Sequence, residues 1–139
     1  REKFNPQDKA YYEGKNSKGT WVKKAPITVT ESIVKRGQDR YNIYCSMCHG
    51  QTGEGNGLVV QRGYTRPAAY WDNRLLKEND GYIFDVITNG KRSMWGYKKQ
   101  IPVEDRWAIV TYVRALQKAK TAKKSDLLDK HKKKLNLEK

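Results

Sequence analysis

Apolar positions recur with the spacing of an α-helix in two parts of the chain. In the first part they follow steps of four, four and three residues: Ile33, Gly37, Tyr41 and Tyr44. Residues at these steps lie on one face of a helix, so the pattern predicts an amphipathic helix that leads into Cys45. Thr28 and Glu31 have the spacing of a capping box and predict its start. A glycine inside a helix costs about 1 kcal/mol relative to alanine, so Gly37 indicates that another helix comes close there.

The second periodic part is the clearest helix of the chain. Its apolar stripe consists of four positions: Ile109, Tyr112, Val113 and Leu116. Pro102 suits the opening of this helix, and Glu104 and Asp105 suit the positive end of its dipole. We expect this last helix to pack against the first one.

A loop region and a third helix separate these two helices. The stretch GQTGEGNG has four glycines in eight residues, and Pro67 in YTRPAAYW indicates a bend. From Asp80 to Asn89 the pattern predicts a short helix with Asp80 as its cap and Gly90 as its terminator. Three of its residues are expected to face inward: Ile83, Val86 and Ile87. No segment has a convincing strand pattern and none repeats, so the predicted fold class is all-α.

Both ends of the chain differ from this central part. Residues 1–27 are polar with scattered aromatic residues and no sustained period, which predicts an extended arm. Residues 28–117 form the predicted domain. Residues 118–139 hold nine lysines and three acidic residues, and we expect them to be partly helical or disordered. This tail carries much of the net charge of +14, which favours anionic partners such as acidic proteins, lipid headgroups or nucleic acid.

Composition adds three expectations. Hydrophobic residues make up 37% of the chain against 32% charged residues, which predicts a small core that a buried cofactor would help to fill. No run of 18 apolar residues occurs, so no helix of the chain is expected to span a membrane. The sequence begins with Arg1 instead of methionine, from which we expect either that a leader has been removed or that the chain is a processed product.

Both cysteines and one of the two histidines lie in the stretch CSMCH, residues 45–49. Three interpretations compete for Cys45 and Cys48. A structural zinc site needs four ligands, and His49 and His131 would have to complete it. A dithiol redox site of the thioredoxin type needs an α/β pattern, which is absent. Attachment of a c-type haem needs two thiols that bond the haem vinyl groups and a following histidine that ligates the iron, as this stretch supplies.

Haem attachment raises the question of the second axial ligand. Of the two methionines, Met47 lies between the attached cysteines, on the haem face of His49, and cannot reach the opposite face. Met94 follows a helix and a glycine in the loop RSMWGY, and we predict that it is the distal ligand. His131 in DKHKKK has the surroundings of a solvent-exposed residue. A histidine–methionine pair leaves no open iron position, which favours electron transfer over catalysis.

Further residues are candidates for the surroundings of one covalently bound haem. The second nitrogen of His49 is expected to donate to a carbonyl, for which Pro67 is the candidate. The glycines at positions 50, 53, 55 and 57 would let the backbone pass close to the haem edge. Five more side chains are candidates for lining the haem or bonding its propionates: Arg62, Tyr70, Trp71, Trp95 and Tyr97.

Three segments resemble class I c-type cytochromes: CSMCHGQTGEGNG, GYIFDVITNGKRSMWGY and DRWAIVTYVRAL. The resemblance extends over residues 28–117 and implies the fold of that family, a small helical bundle around one covalently attached haem. It also implies that the first and last helices cross at Gly37 and Tyr112, with Tyr41 adjacent.

More narrowly, three longer segments resemble the monohaem cytochrome c subunit of bacterial alternative complex III: KRGQDRYNIYCSMCHGQTGEGNGLVVQRGY, DGYIFDVITNG and IPVEDRWAIVTYVRALQ. This resemblance implies a membrane assembly that oxidises quinol, with multihaem cytochrome and iron–sulfur subunits as partners and a cytochrome c or terminal oxidase downstream. It also implies the periplasmic side of the bacterial inner membrane and a lipid anchor upstream. That family usually has proline after the ligating methionine, where this chain has Trp95.

Other functions stay open at this point. A free or oxidase-associated cytochrome c has the same chemistry with other partners. A haem sensor or haem enzyme would need Met94 to leave the iron. A nucleic-acid binder would use the lysines but leaves the cysteines unexplained, so we expect no nucleic-acid partner. On balance the chain is expected to be an electron-transfer subunit and not itself an enzyme.

Overall fold

Seven helices and one short strand pair make up residues 6–122, the part of the chain that the computed structural model describes. In chain order they are α1 (Pro6–Glu13), α2 (Glu31–Tyr44), α3 (Ser46–His49), α4 (Leu58–Gln61), α5 (Asn73–Leu76), α6 (Asp80–Asn89), β1 (Gly90–Lys91), β2 (Met94–Trp95) and α7 (Val103–Thr121).

The predicted all-α class is confirmed. The expectation that no strand occurs is wrong, because β1 and β2 pair antiparallel, with Gly90 opposite Trp95 and Lys91 opposite Met94. Strands of two residues are too short to leave an alternating pattern in the sequence.

The two periodic helices cross where the resemblance implied. A Cβ atom built on Gly37 of α2 would lie 2.0 Å from the carbonyl oxygen of Ala108 and 3.0 Å from Cβ of Tyr112, both in α7. The rings of Tyr41 and Tyr112 meet edge to face beside this contact, with their centroids 5.2 Å apart. The missing side chain at Gly37 therefore allows the two backbones to touch, and the neighbouring aromatic rings close the space around them.

The predicted helix limits are close to the observed ones, with two corrections at the caps. The side chain of Thr30, not Thr28, caps α2, because its Oγ1 accepts a hydrogen bond from the backbone N–H of Ile33 at 3.3 Å. Asn79, not Asp80, occupies the N-cap position of α6, while Gly90 ends this helix as predicted. Asp80 instead accepts hydrogen bonds from distant parts of the chain, which local spacing cannot indicate.

The buried face of α6 is rotated relative to its prediction. Ile87 is buried as expected, whereas Ile83 and Val86 are only half-buried. The residues of α6 with the least exposed surface are Gly81, Phe84, Ile87 and Thr88. Phe84 stacks on Trp107 of α7 with ring centroids 4.1 Å apart, so the contact with α7 decides which face of α6 is covered.

The core lies between α2, α6 and α7. Its buried hydrophobic members are Tyr41, Cys45, Phe84, Ile87, Ile101, Trp107, Ile109, Val110 and Val113. Ile109 and Val113 of the predicted α7 stripe are buried, and Tyr112 and Leu116 pack against them as half-buried residues. Cys45 belongs to this core, so the predicted attachment site begins inside it.

The N-terminal arm is partly helical and fastened to the domain, which corrects its description as an extended arm. Residues 6–13 form α1, and residues 14–27 that follow it are without helix. The indole N–H of Trp107 donates to the carbonyl of Tyr11 at 2.8 Å, and the backbone N–H of Gly81 donates to the carbonyl of Val22 at 3.0 Å. These partners lie far along the chain, so the polar sequence of the arm carries no sign of them.

At the other end α7 continues to Thr121, a few residues into the predicted tail. Most of that tail, including His131, lies outside the described residues. None of the helices in residues 6–122 is both long and apolar enough to cross a membrane.

Candidate functional site

The end of α2 brings both thiols and the histidine onto one turn of backbone. Cys45 follows the last residue of α2 directly and donates its N–H to the carbonyl of Tyr41 at 2.8 Å. The N–H groups of Cys48 and His49 both point to the carbonyl of Cys45, at 3.2 and 2.9 Å. The short helix α3 thus holds the three predicted side chains together, and both thiols are free.

Burial keeps these thiols protonated. Cys45 is only 7% exposed, and burial raises its pKa to about 12. Burial also raises the pKa of the half-buried Cys48. A dithiol redox site works through a thiolate of lowered pKa, so the environment of the pair opposes that interpretation. It suits thiols that are consumed once in a covalent attachment.

The imidazole of His49 has the properties of a metal ligand. Burial lowers its pKa to about 4, so the ring is neutral at neutral pH and its nitrogen lone pair is available. Its Nδ1 is buried without a hydrogen-bond partner among the described residues. The ring of Tyr70 stacks on the imidazole with centroids 5.0 Å apart and planes 22° apart. Two thiols and a neutral imidazole on one turn are the groups that attach a haem c and ligate its iron. The residues present fit a haem.

Tyr41 connects this turn to the loop that follows it. Its hydroxyl donates to the carbonyl of Gly50 at 2.7 Å, and its ring meets that of Tyr70 with centroids 6.2 Å apart. Burial is the main cause that raises the pKa of both tyrosines. Both hydroxyls therefore stay protonated, and that of Tyr41 is used as a donor to the carbonyl of Gly50.

The glycine loop is packed closely against the protein itself. Cβ atoms built at positions 53, 55 and 57 would lie 2.2 Å from the ring of Tyr70, 2.3 Å from the carbonyl oxygen of Pro67 and 2.2 Å from that of Met47. Glycine is thus required by the packing of the loop on the protein itself. The carbonyl of Pro67 faces this loop and does not accept a hydrogen bond from Nδ1 of His49, so that prediction is wrong.

The β1–β2 hairpin, which carries Met94, is fastened to both sides of the cysteine turn. On one side the hydroxyl of Tyr97 donates to the carbonyl of Tyr44 at 3.3 Å, and Tyr44 directly precedes Cys45. On the other side the hydroxyl of Tyr64 donates to the carbonyl of Ser93 at 2.9 Å. The helix before Tyr64 starts from Gly57, whose N–H donates to the carbonyl of Cys48 at 3.1 Å. These bonds hold the half-buried Met94 close to the predicted attachment site.

The remaining residues that the sequence predicted for the haem surroundings are Tyr97, Arg62, Trp71 and Trp95. Tyr97 lies beside the cysteine turn, since its hydroxyl donates to the carbonyl of Tyr44, and its pKa is raised by burial and to a lesser extent by Cys45 and Cys48. The side chain of Arg62 is exposed, and Trp71 is half-buried with the ammonium of Lys120 4.8 Å from its ring centroid. Trp95 is 79% exposed, a position that does not favour contact with a haem.

Sequence reasoning missed two residues of this arrangement, Tyr44 and Tyr64. Tyr44 was recognised as part of the α2 stripe but not as the acceptor for Tyr97. Tyr64 lies in a loop without periodicity, and its partner Ser93 is 29 residues away. An aromatic residue in a polar loop is the one signal that could have singled it out.

The zinc interpretation finds no support among the described residues, and His131, which it would need, lies outside them. Within residues 6–122, no group of three or more histidine, cysteine, aspartate or glutamate side chains is placed to hold a metal ion. Zinc sites need three or four such ligands, whereas haem iron needs only one histidine from this set beside its methionine partner.

Comparisons with known proteins agree with this site. A model of the family described as cytochrome c oxidase, cbb3-type, subunit III matches residues 32–113. A curated relative, the dehydrogenase subunit of the quinone alcohol dehydrogenase of Acetobacter aceti, is 27% identical over 93 residues, which are 67% of this chain and 11% of that protein. The chain therefore spans about a tenth of the length of this relative.

Two solved structures share the fold. The reducing HAO-like protein complex of Kuenenia stuttgartiensis matches with a TM-score of 0.56 and 21% identity, over 78% of this chain and 54% of that one. Cytochrome cL of Methylophaga aminisulfidivorans matches with a TM-score of 0.54 and 24% identity, over 82% and 69%. The predicted class I cytochrome c fold is confirmed.

Proposed function

The chain belongs to the family described as cytochrome c oxidase, cbb3-type, subunit III, and from this premise we propose that it carries one covalently bound haem c and passes single electrons between redox partners. Its matched region is a cytochrome c electron-transfer domain, and membership of the family implies haem c. When bound, haem c supplies an iron that accepts and releases one electron. Everything else in the proposal concerns what the residues of this chain do.

Four residues carry the proposed site. Cys45 and Cys48 would hold the haem through thioether bonds, and His49 and Met94 would ligate its iron. A histidine–methionine pair would raise the reduction potential and leave no open position for oxygen. The residues that surround them, above all Tyr70 and Tyr97, keep the site apolar and its ligands oriented.

One observation supports this proposal most directly, the geometry of the turn that follows α2. It presents two protonated thiols and a neutral imidazole within five residues. The hydrogen bonds made by the hydroxyls of Tyr64 and Tyr97 add a second, independent argument. They bring the segment that contains Met94 to this turn from a distant part of the sequence.

We further propose that the chain works as a subunit of a membrane-bound quinol-oxidising complex, alternative complex III. Multihaem cytochrome and iron–sulfur subunits would be its partners, and a cytochrome c or a terminal oxidase would accept its electrons. The support is the resemblance of the three longer segments. Two similar proteins are also parts of larger redox assemblies, a quinone alcohol dehydrogenase and an HAO-like complex. A periplasmic location at the inner membrane, with an anchor upstream, belongs to the same proposal.

A second candidate is a cytochrome c that serves a terminal oxidase directly. The description of the matched family, which is that of an oxidase subunit, favours it. The two candidates share the chemistry of the site and differ in their partners. Purification from native membranes separates them, because co-purification with multihaem and iron–sulfur subunits supports the quinol-oxidising complex, whereas co-purification with an oxidase and without those subunits overturns it.

The site itself is tested with the full chain matured in a host that attaches haem c. We expect an alkaline pyridine spectrum of one c-type haem per chain and an absorption band of methionine-ligated ferric iron. Met94→Ala should abolish that band, and the exposed Met47→Ala is the matched control that should keep it. A fully matured protein that binds carbon monoxide in its reduced, folded state would contradict the closed site and indicate a sensor.

A further inference from the structure

Arg106 is a buried cation without an acidic partner. It is the fourth residue of α7, and only 4% of its surface is exposed. Its Nη1 donates to Oγ1 of Thr88 at 2.6 Å, while its Nε has no hydrogen-bond partner among residues 6–122. In that part of the chain no aspartate or glutamate forms an ion pair with it. A guanidinium stays charged at neutral pH, so one positive charge remains unneutralised inside the domain.

This charge is costly in its position. A charge buried without a counter-charge loses its hydration, and no ion pair compensates for that loss. Burial lowers the pKa of Arg106, and the opposing effect comes from the phenol of Tyr11 and not from a carboxylate. The first turn of a helix also carries positive partial charge, which repels a cation. The neighbouring Asp105 shows the usual arrangement, because both of its oxygens accept hydrogen bonds from Arg36. Fold stability alone therefore does not account for Arg106.

The guanidinium of Arg106 adjoins the segment that carries Met94. Thr88, whose side chain accepts its hydrogen bond, also accepts the N–H of Lys98 through its carbonyl at 3.1 Å. A Cβ atom built on Gly96 would lie 2.7 Å from the same carbonyl oxygen. Gly96 is two residues from Met94 in the sequence. Thr88 therefore links the buried charge to the β1–β2 hairpin.

The surroundings of this charge are apolar. The central carbon of the Arg106 guanidinium lies 5.0 Å from the ring centroid of Phe84, and this ring stacks on Trp107 with centroids 4.1 Å apart. Both aromatic side chains are completely buried. Little water is present to screen a charge in such surroundings, so its field extends further through the domain than that of an exposed lysine.

We propose that Arg106 raises the reduction potential of the bound haem through its unneutralised charge. The proposal rests on the proposed function, because it needs an iron that gains and loses one electron in this domain. Reduction lowers the positive charge of the iron, so a cation in the same interior favours the reduced state. One unit charge inside a small domain, at an effective dielectric constant of about 20, changes such an equilibrium about tenfold.

The test measures the reduction potential of the full chain with haem attached. Arg106→Gln removes the charge and keeps an amide that can donate to Thr88, whereas Arg106→Met removes both. In each variant the ratio of reduced to oxidised protein at a fixed solution potential should fall about tenfold, which is 59 mV for a one-electron couple. Thr88→Val keeps the charge but removes its hydrogen-bond acceptor, and should change this ratio by less than about twofold.

Lys98→Gln is the matched control for the loss of one positive charge. Its ammonium is exposed, and its backbone N–H binds the same Thr88 carbonyl. Water and salt screen this charge, so its removal should change the ratio by less than about twofold. At a salt concentration of about 1 M the effect of Lys98→Gln should vanish, while that of Arg106→Gln should persist, because buried charges are screened much less.

Urea unfolding separates this electrostatic role from a structural one. Replacing a buried charge by an apolar side chain is often neutral or stabilising, and Oγ1 of Thr88 keeps its bond to the carbonyl of Phe84. Arg106→Met should therefore unfold at the same or a higher urea concentration and keep the methionine band. Loss of that band, or unfolding at lower urea, in both Arg106 variants would mean that Arg106 holds the structure around Met94 and would overturn the proposal.

The remaining outcomes are equally distinct. An unchanged ratio in Arg106→Gln and Arg106→Met overturns the proposal and leaves the proposed function in place, as does a tenfold change in Thr88→Val or Lys98→Gln. If only Arg106→Met fails to fold, the ratio for Arg106→Gln decides. A parent chain without covalent haem would instead refute the proposed function, and this proposal with it.

Discussion

Gly37→Ala adds one methyl group at the point where α2 and α7 cross. The new Cβ would lie 2.0 Å from the carbonyl oxygen and 2.6 Å from the carbonyl carbon of Ala108, whereas ordinary contact begins at 3.4 Å. The atoms in the way belong to the backbone of a 19-residue helix, so no rotamer change removes the clash. The two helices must separate by more than an ångström, which also loosens the contact between Tyr41 and Tyr112.

The magnitude follows from two opposing effects. Overpacking of a tight core costs up to about 3 kcal/mol, and we take this upper value because the clash is with backbone atoms. Alanine recovers about 1 kcal/mol because it favours the helix over glycine. We therefore expect Gly37→Ala to lower the free energy of unfolding by about 2 kcal/mol and the melting temperature by roughly 4–10 °C.

The assay is urea unfolding of the holo-protein, followed by circular dichroism of the helices and by the haem absorbance. Gln38→Ala is the matched control, since Gln38 is the exposed neighbour of Gly37 on the same helix and its loss should change stability by less than about 0.5 kcal/mol. Adding Tyr112→Ala to Gly37→Ala should not restore stability, because the nearest atoms are those of the Ala108 backbone. A Gly37→Ala protein as stable as the parent would refute the close crossing of the two helices.

Two further predictions concern tethers between distant segments. Tyr64→Phe removes the hydrogen bond to the carbonyl of Ser93 and should cost about 1 kcal/mol of hairpin stability, which is measured as loss of the methionine band at a milder denaturant concentration. Asp80→Asn weakens the bond from the Arg114 guanidinium at 2.7 Å and the bond from the N–H of Ala25 at 2.9 Å, and should lower the free energy of unfolding by about 1–2 kcal/mol.

Each of these changes has a control on the same chain. Tyr12→Phe alters an exposed tyrosine of α1 and should leave the methionine band in place. Asp72→Asn alters an exposed aspartate whose side chain does not cap α5, and should leave the free energy of unfolding within about 0.5 kcal/mol of the parent. If Tyr64→Phe keeps the methionine band to the same denaturant concentration as Tyr12→Phe, the hydrogen bond from Tyr64 to Ser93 does not hold the hairpin. If Asp80→Asn has the same free energy of unfolding as Asp72→Asn, Asp80 does not join the arm to α7.

The sequence was informative where a structure repeats along a short stretch. The stripes on α2 and α7 place Tyr41 and Val113 in the core, and both are buried. The limits of α6 agree with the prediction because a glycine ends it at position 90. Patterns of this kind depend on neighbours three or four residues apart, which the order of the sequence displays directly.

It was least informative where one residue serves a partner far along the chain. Asp80 was expected to cap a helix and instead binds Arg114 and the N-terminal arm. Pro67 was expected to face the histidine, whereas its carbonyl faces Gly55 in the glycine loop. In both cases the residue type was recognised as important, but the direction of its polar groups depended on tertiary packing.

The candidate site shows the same difference between local patterns and contacts between distant residues. Cys45, Cys48 and His49 were identified from the sequence alone, since they occupy one turn and their chemistry depends on that local spacing. The hairpin with Met94 is held beside that turn by Tyr64 and Tyr97, through bonds that span 29 and 53 residues. Only the tertiary structure could decide that arrangement, and with it the outward position of Trp95, because contacts between distant residues leave no local pattern in the order of the amino acids.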